Sequence, residues 1–510
     1  MNEATSHADG EQVAALLDRG EGGRYALVAP EDRQPLTYAQ LASRVRTLAG
    51  LLAAAGVRRG DRVALVLPNG PEFVQILLAI AAVGAAAAPL NPAYTRNEIA
   101  FHLGDVEPRL LLLPAGELAA ARVAAGPGTA IVDLVMHGAD LPDLVVDGEE
   151  VRRGVAFEAG GPDDIGLLLH TSGTTDRPKQ VPLLQRNLMA SSRTIAGHYM
   201  LGKEDVSFCA MPLFHVHGLI ASVFSALVAG GTVVLPRRFS PRRFWQQARN
   251  HGVTWLSADP TLHQMILEKV DEEGAPKTLR FVRSCSSALS PALRERSEQV
   301  YGAPMVEAYG MTEASHQVAS NPLPPARRVP GSVGVATGTE VRVVDRQRRL
   351  LPDGSAGEVV IRGPGLTPGY RNNPQANAEA FFDGWFRTGD LGVLEGGHLR
   401  LEGRLKEMIL RGGENISPAE IEDVLRAHPA VADAVCFGVE DERYGEEVAA
   451  AVVLRGMVDV GLLKAHCRER LAAFKVPKTI HILPSIPRTP TGKLQRRRIA
   501  AFIAKREQAR

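Results

Sequence analysis

The chain has 510 residues, 45% of them hydrophobic and 23% charged, with a formal net charge of +1. That length exceeds what one ordinary core accommodates, so two or more domains are expected, and the composition excludes a largely disordered polypeptide. A net charge this small gives no broad field for nucleic acid or for membrane association, so any bound anion must be held locally. The polar start MNEATSHADGEQ lacks the basic beginning and apolar run of a secretory signal, and the final REQAR is no peroxisomal address, which makes a cytoplasmic location the expectation. Cys209, Cys285, Cys436 and Cys467 are scattered without CxxC spacing and read as reduced structural thiols.

In chain order, TYAQLASRVRTLAGLLAAAG has helical spacing of apolar residues and stops at Gly56, DRVALVLP reads as a short strand, and Pro71 to Val83 is helical again. The most membrane-like stretch, Val74 to Leu90, is short, Ala-rich and interrupted by Gln75 and Gly84, so it reads as a buried helix leading into a strand rather than a membrane insertion. The alternation returns in SRTIAGHYM, GGTVVLP, FWQQARNHG and VTWLSAD, which predicts parallel sheets covered by helices. From Gly331 to Arg404 the pattern becomes short β-like runs such as VRVVD, GEVVIRG and GHLRLEGR, broken by Gly, Pro and Asp. After Lys406 it reads helix, strand, strand, helix, strand. The expected fold class is α/β: a large N-terminal domain (1–404) of parallel sheets with a small β-barrel-like subdomain (331–404), hinged to a small α+β C-terminal domain (405–510).

Leu168 to Pro182, LLHTSGTTDRPKQVP, carries the most suggestive chemistry: an apolar strand runs into Thr171, Ser172, Gly173, Thr174 and Thr175, followed by Lys179. Hydroxyls, a glycine and exposed N–H groups can surround phosphate oxygens while a lysine adds a point charge. This is not the GxxxxGK[ST] loop, and taken alone a polar turn explains it as well. Further along stand EAYGMTE (Glu307 to Glu313), RTGD (Arg387 to Asp390), GRLKE (Gly403 to Glu407) and PTGK (Pro490 to Lys493). With TSGTTxxPK at their head, these resemble, in order, the signatures of the acyl-adenylate-forming superfamily of acyl-CoA synthetases, luciferases and peptide-synthetase adenylation domains. Asp176 and Gln180 depart from that pattern, each standing where glycine is frequent, and a carboxylate near triphosphate repels it unless turned to solvent.

The resemblance implies an ATP-dependent acid-thiol ligase that forms an acyl-adenylate and then an acyl-CoA thioester, releasing pyrophosphate and AMP. A carboxylate is a poor electrophile; joining it to the α-phosphate supplies AMP as a leaving group, and the site must neutralise charge there and hold Mg2+. By resemblance Thr312 serves the phosphate and Glu313 the metal. Thr171 to Thr175 and Lys179 hold the triphosphate, Glu307, Ala308, Tyr309 and Gly310 pack on adenine, and Asp390 with Arg404 takes the ribose. Lys493 is then the catalytic lysine that swings in for adenylation, Lys406 the hinge, and Arg411, Gly412 and Gly413 line a second conformation that admits coenzyme A.

The acid pocket of this superfamily falls here at MPLFHVHGL, RSCSSAL and the residues after Glu313. These supply His215, His217, Arg283, Ser284, Ser286, His316 and Gln317, where an apolar acid calls for an apolar lining. MPLFHVHGLI, VRSCSSAL, EAYGMTEASHQ and TPTGKLQRR resemble oxalate-CoA ligases, which implies oxalate or another small dicarboxylate, with His316, Ser286 and His217 holding its second carboxylate. A core role for either histidine, satisfied by a neighbour, is the plain alternative. Arg237, Arg238, Arg242 and Arg243 either reach coenzyme A phosphates or form a solvated face. The rival enzymatic readings are a ligase for malonate-like, aromatic or medium-chain acids and an adenylation domain serving a carrier protein. A non-catalytic nucleotide-binding regulatory module is the rival from another class, against which Lys493 and Glu313 argue. Oligomeric state stays open.

Overall fold

The computed structural model describes residues 10–31, 34–126, 128–135, 141–171, 178–412, 414–488, 494, 496, 499–500 and 502–503. Three sheets, of fourteen, eight and five strands, organise the described chain.

Helix Tyr38–Ala54 starts at a capping box between Thr37 and Gln40, and helix Pro71–Ala82 starts with proline in its first turn, where the missing N–H costs nothing. Both pack in a core that also contains Val63, Leu65, Leu110 and Leu112 of the eight-stranded sheet and Leu27, Cys209, Trp255 and Phe281 of the fourteen-stranded one. The helices therefore fill the space between the sheets, which is why Pro71–Ala82 is buried along nearly its whole length. The segment most like a membrane span is this helix and the strand Ala86–Pro89, and among the described residues no helix is long and apolar enough to cross a membrane.

Strand periodicity explains the outer layers. Trp255 and Phe281 face the inter-sheet core, whereas their neighbours Leu256 and Val282 face a second core with Phe244, Trp245, Ile266 and Tyr301. Helices Pro241–Asn250, Pro260–Leu267 and Pro291–Tyr301 cover that outer face. Ala64, Val66, Leu111 and Leu113 alternate likewise on the eight-stranded sheet, beneath helix Arg96–Val106.

The fourteen-stranded sheet places the site. Strands Val206–Cys209, Trp255–Ala258, Phe281–Ser284 and Met305–Met311 are parallel neighbours, so their C-terminal ends converge at one edge. Immediately after Met311 the chain reverses, and His316–Ser320 returns antiparallel to Met305–Met311. The short β-like runs expected over 331–404 are antiparallel strands that carry the same sheet onward, in the order Val335–Ala336, His398–Arg404, Trp385–Glu395, Ala356–Arg362, Glu340–Val344.

Beyond Arg404 the chain forms helix Pro418–Arg426, strands Val431–Asp441 and Gly445–Leu454, helix Val460–Arg468 and strand Thr479–Ile482. The hairpin Ile409–Arg411 with Glu414–Ile416, not distinguished in the sequence pattern, precedes them. The cores here draw only on residues from Ile409 onward. All four cysteines are buried and unbridged.

Candidate active site

Strand Ile165–His170 pairs antiparallel with Gln180–Leu184, so the Ser/Thr/Gly segment lies in sequence between two paired strands. The Thr171 N–H donates to the Lys179 carbonyl (2.9 Å) and the Lys179 N–H donates to Thr171 Oγ1 (3.1 Å), closing the hairpin neck. Ser172, Gly173, Thr174, Thr175 and Asp176 lie outside the described residues. Gln180 ties three segments together. Its buried amide donates to the backbone carbonyl and the carboxylate of Asp105, and its Oε1 accepts from Arg371 (3.1 Å).

Thr312 and Glu313 sit on the one-turn 3-10 helix at the reversal after Met311. Glu313 is 7% exposed, and its Oε1 accepts from the Tyr370 hydroxyl at 2.8 Å. The Lys179 ammonium lies 4.6 Å from the centre of the same tyrosine ring. Tyr370 thus links the hairpin lysine to the acid at the strand ends, a connection that no motif in the sequence announces. Gly310 is required here, because a Cβ would overlap the His316 carbonyl on the returning strand.

Asp390 is brought opposite Arg404 by strand register, with Arg404 Nε 2.9 Å from Oδ1. Its other oxygen accepts from the Tyr309 hydroxyl. The Asp390 charge holds the Arg404 guanidinium above its ordinary range. Tyr309 therefore contributes a hydrogen bond as well as a ring. Glu307, at the start of EAYGMTE, has its carboxyl pushed up to about 7 by burial, against a 3.3 Å hydrogen bond from the Gly331 N–H to Oε1.

Of the acid-pocket candidates, His217, Ser286, His316, Arg283 and Gln317 converge on one polar network, which the Ser284 hydroxyl does not join among the described residues. His217 opens a π-helical segment, His217–Phe224, a wide turn frequent at functional sites. Its Nδ1 is 2.9 Å from Ser286 Oγ and its Nε2 is 2.8 Å from Ser257 Oγ, while the His316 ring lies 5.0 Å away edge-on. Arg283, fully buried, donates to Tyr199 Oη (3.0 Å), Ser257 Oγ (2.8 Å), Gln317 Oε1 (3.0 Å) and His316 Nδ1 (3.4 Å). Among the described residues no carboxylate pairs with it. The Ser284 hydroxyl is buried with no hydrogen-bond partner among the described residues. Ser286 (φ +77°), Ser315 (φ +51°) and His316 (φ +112°) adopt backbone conformations that L-residues avoid, a marker of functional constraint. His215 follows Phe214, ring to ring at 4.8 Å, and its N–H reaches the Pro212 carbonyl at 3.4 Å.

Lys406 lies in the short 3-10 turn Leu405–Glu407 and is exposed. Beside it, Glu407 pairs with Arg496, which also binds Glu422 at 2.9 Å, so Arg496 belongs to an ion network. Arg411 is engaged with Glu447 (2.5 Å) and stacked 4.1 Å from the Tyr444 ring centre, and the Gly412 N–H donates to the Tyr444 carbonyl (2.8 Å). Gly413 and Lys493 lie outside the described residues. Arg237 is committed to the buried carboxylate of Glu72.

The model of the AMP-binding enzyme family matches residues 15–371, and that of the AMP-binding enzyme C-terminal domain matches residues 420–493. The chain belongs to the AMP-binding enzyme family. An oxalate-CoA ligase of Arabidopsis thaliana is 45% identical over 478 residues, covering 91% of this chain and 93% of the relative. An oxalate-CoA ligase of Saccharomyces cerevisiae is 39% identical over 519 residues, covering 94% and 95%. Among solved structures, ATP-bound MatB from Rhodopseudomonas palustris aligns with a TM-score of 0.86 at 29% identity, over 96% of this chain and 98% of that one. This AMP-binding enzyme is an AMP-forming acyl-CoA ligase that uses ATP, Mg2+ and coenzyme A. Tyr370, Tyr199 and Ser257 are the site residues that sequence reasoning missed. Tyr370 sits in the glycine- and proline-rich GPGLTPGY shortly before RTGD, a signal that could have been followed.

Proposed function

We propose that this ligase activates oxalate, or another very small acid bearing a second anionic group. The observation that carries the reading is Arg283: a fully buried guanidinium without a carboxylate partner among the described residues, bonded to His316 directly and linked to His217 through the Ser257 hydroxyl. An uncompensated buried charge is costly, and a substrate anion lodged among its hydrogen-bonded neighbours offsets that cost. A fatty or aromatic acid leaves the same groups unpaired. The likeness to two oxalate-CoA ligases supports the choice.

In the first step an oxygen of one carboxylate attacks the α-phosphorus of ATP and pyrophosphate departs; in the second the coenzyme A sulfur attacks the acyl carbon and AMP departs with the bonding electrons. Lys179 and the residues Thr171 to Thr175 hold the triphosphate, Thr312 donates to phosphate oxygen, and Asp390 with Arg404 grips the ribose. Glu313, a hard oxygen donor fixed by Tyr370, fits Mg2+, which supplies neutralisation of phosphate charge when bound. Lys493 stabilises charge at the α-phosphate, then withdraws as the C-terminal domain turns about Lys406, bringing the Arg411 to Gly413 segment to the coenzyme A side. The separate core beyond Ile409, and two family matches that leave the Lys406 region between them, support this division near residue 404.

A sulfonate in place of the second carboxylate is the next reading, favoured by 39% identity over 476 residues to a sulfoacetate-CoA ligase of Cupriavidus necator. AMP release measured with coenzyme A across oxalate, malonate, sulfoacetate, hexanoate and coumarate tests the proposal. Oxalate should lead, and preference for hexanoate or coumarate would overturn it.

A further inference from the structure

We infer that Arg283 is a positioning residue that sets the direction of the hydrogen bonds linking it to His316 and, through Ser257, to His217 and Ser286, fixing His217 and His316 in opposite tautomers. The inference deepens the proposed function and rests on its reading that the acid carries a second anionic group.

A guanidinium has five N–H donors and no acceptor, and it stays protonated in proteins. Every contact of Arg283 is therefore given, never received. Its Nη2 faces His316 Nδ1 at 3.4 Å, so Nδ1 must offer a lone pair and the ring proton of His316 sits on Nε2. A protonated or Nδ1–H imidazole would set two donors against each other.

The second branch runs through Ser257. Its hydroxyl accepts from Arg283 Nη1 at 2.8 Å and is completely buried, so its own proton needs an acceptor. His217 Nε2, at 2.8 Å, is the other partner of that hydroxyl. With Ser257 donating, Nε2 of His217 is the lone-pair nitrogen and Nδ1 carries the proton, which is given to Ser286 Oγ at 2.9 Å. The reverse orientation strands the Ser257 proton in the core. Ser286, having accepted, gives its own proton onward. The result is two aligned chains, Arg283 to His316 and Arg283 to Ser257 to His217 to Ser286, within histidine rings 5.0 Å apart. A buried cation is thereby expressed as oriented Nε2–H and O–H donors, which suit an anion that can only accept.

The test is 15N-histidine NMR on the full-length protein at neutral pH, with signals assigned by single-histidine variants. The inference requires His316 as the Nε2–H tautomer and His217 as the Nδ1–H tautomer in the wild type; either tautomer reversed overturns it, with no substitution needed. Arg283→Met should release both rings to mixed tautomers and lower kcat/KM for oxalate by roughly 10- to 100-fold, the range for partners that orient a binding group from behind, while KM for ATP stays unchanged. Ser257→Ala should release His217 alone, and it keeps the inference testable should Arg283→Met fail to fold. Activity lost with both tautomers unchanged assigns Arg283 a merely structural role and overturns the inference. If the tautomers are as required but oxalate is not turned over, the acid was misidentified and the positioning role of Arg283 stands.

Discussion

The hydroxyl of Tyr370 donates to Oε1 of Glu313 across 2.8 Å, and the face of the same ring receives the Lys179 ammonium 4.6 Å from its centre. One side chain from the loop before the Pro374–Ala380 helix thus orients groups from two distant motifs. Removing only the hydroxyl separates these two roles. Tyr370→Phe keeps the cation–π contact and loses a hydrogen bond to a charged group, worth about 1.5–3 kcal/mol. Pyrophosphate exchange should fall roughly 10- to 100-fold and require more magnesium, while thioester formation from supplied acyl-adenylate changes little. Equal loss in both half-reactions would place Tyr370 outside the metal site.

Burial pushes the Glu307 carboxyl up to about 7 from an ordinary 4.5, so the folded state holds its proton over a pH range where the unfolded state has released it. Stability from this group is full below about pH 4.5 and declines as pH rises through 7, by an amount of order 1–3 kcal/mol. Glu307→Gln retains an acceptor for the Gly331 N–H and cannot ionise. Its Tm relative to wild type should rise steadily between pH 5 and pH 8. A pH-independent difference would show that the buried carboxyl ionises without penalty.

Much of this architecture was legible because it follows local chemistry. The alternation that included Trp255 in VTWLSAD produces a strand paired parallel on both sides, and the five elements read after Lys406 occur in that order. The hairpin at Ile409–Ile416 was hidden because its strands are only three residues each, too short for a period to register. The π-helical turn at His217 has no pattern of its own, since Gly-Leu-Ile-Ala is equally apolar in any helix. Gln180, met as a departure from a glycine position, is explained by Asp105 and Arg371, 75 and 191 residues away in sequence. Arg283 was visible as a guanidinium near the pocket; its burial and its ties to both histidines come from strand pairing that composition does not encode.

The proposed hinge lies in the turn Leu405–Glu407, where rotation of the C-terminal part would let Lys493 leave. Lys406→Pro fixes φ and removes a donor there, favouring the adenylating arrangement. Pyrophosphate exchange should persist while thioester formation fails. Normal thioester formation by the variant would move the hinge elsewhere.

His316 gives the sharpest division between acid recognition and nucleotide binding. It is 3% exposed, on the strand that returns from Glu313, with its ring edge-on to His217 and its Nδ1 facing Arg283. After one carboxylate of oxalate is adenylated, the other remains anionic close to the reacting carbon and must keep hydrogen-bonded partners. Truncation removes one such partner while the other groups stay. His316→Ala preserves a Cβ at the φ of +112°, so the backbone cost is common to both proteins and the comparison isolates the imidazole. Oxalate kcat/KM should drop by roughly 10- to 1000-fold, as when a buried charge loses a hydrogen-bonded partner. KM for ATP should hardly move, because the Asp390–Arg404 pair and the hairpin neck at Thr171 and Lys179 are separate from this network. Hexanoate, which has no second anion to lose, should be affected least, so the ratio of oxalate to hexanoate kcat/KM is the quantity to measure. If that ratio is unchanged in His316→Ala, the second carboxylate is held elsewhere, and the assignment of His316 to the acid pocket fails while the acyl-CoA ligase activity is untouched.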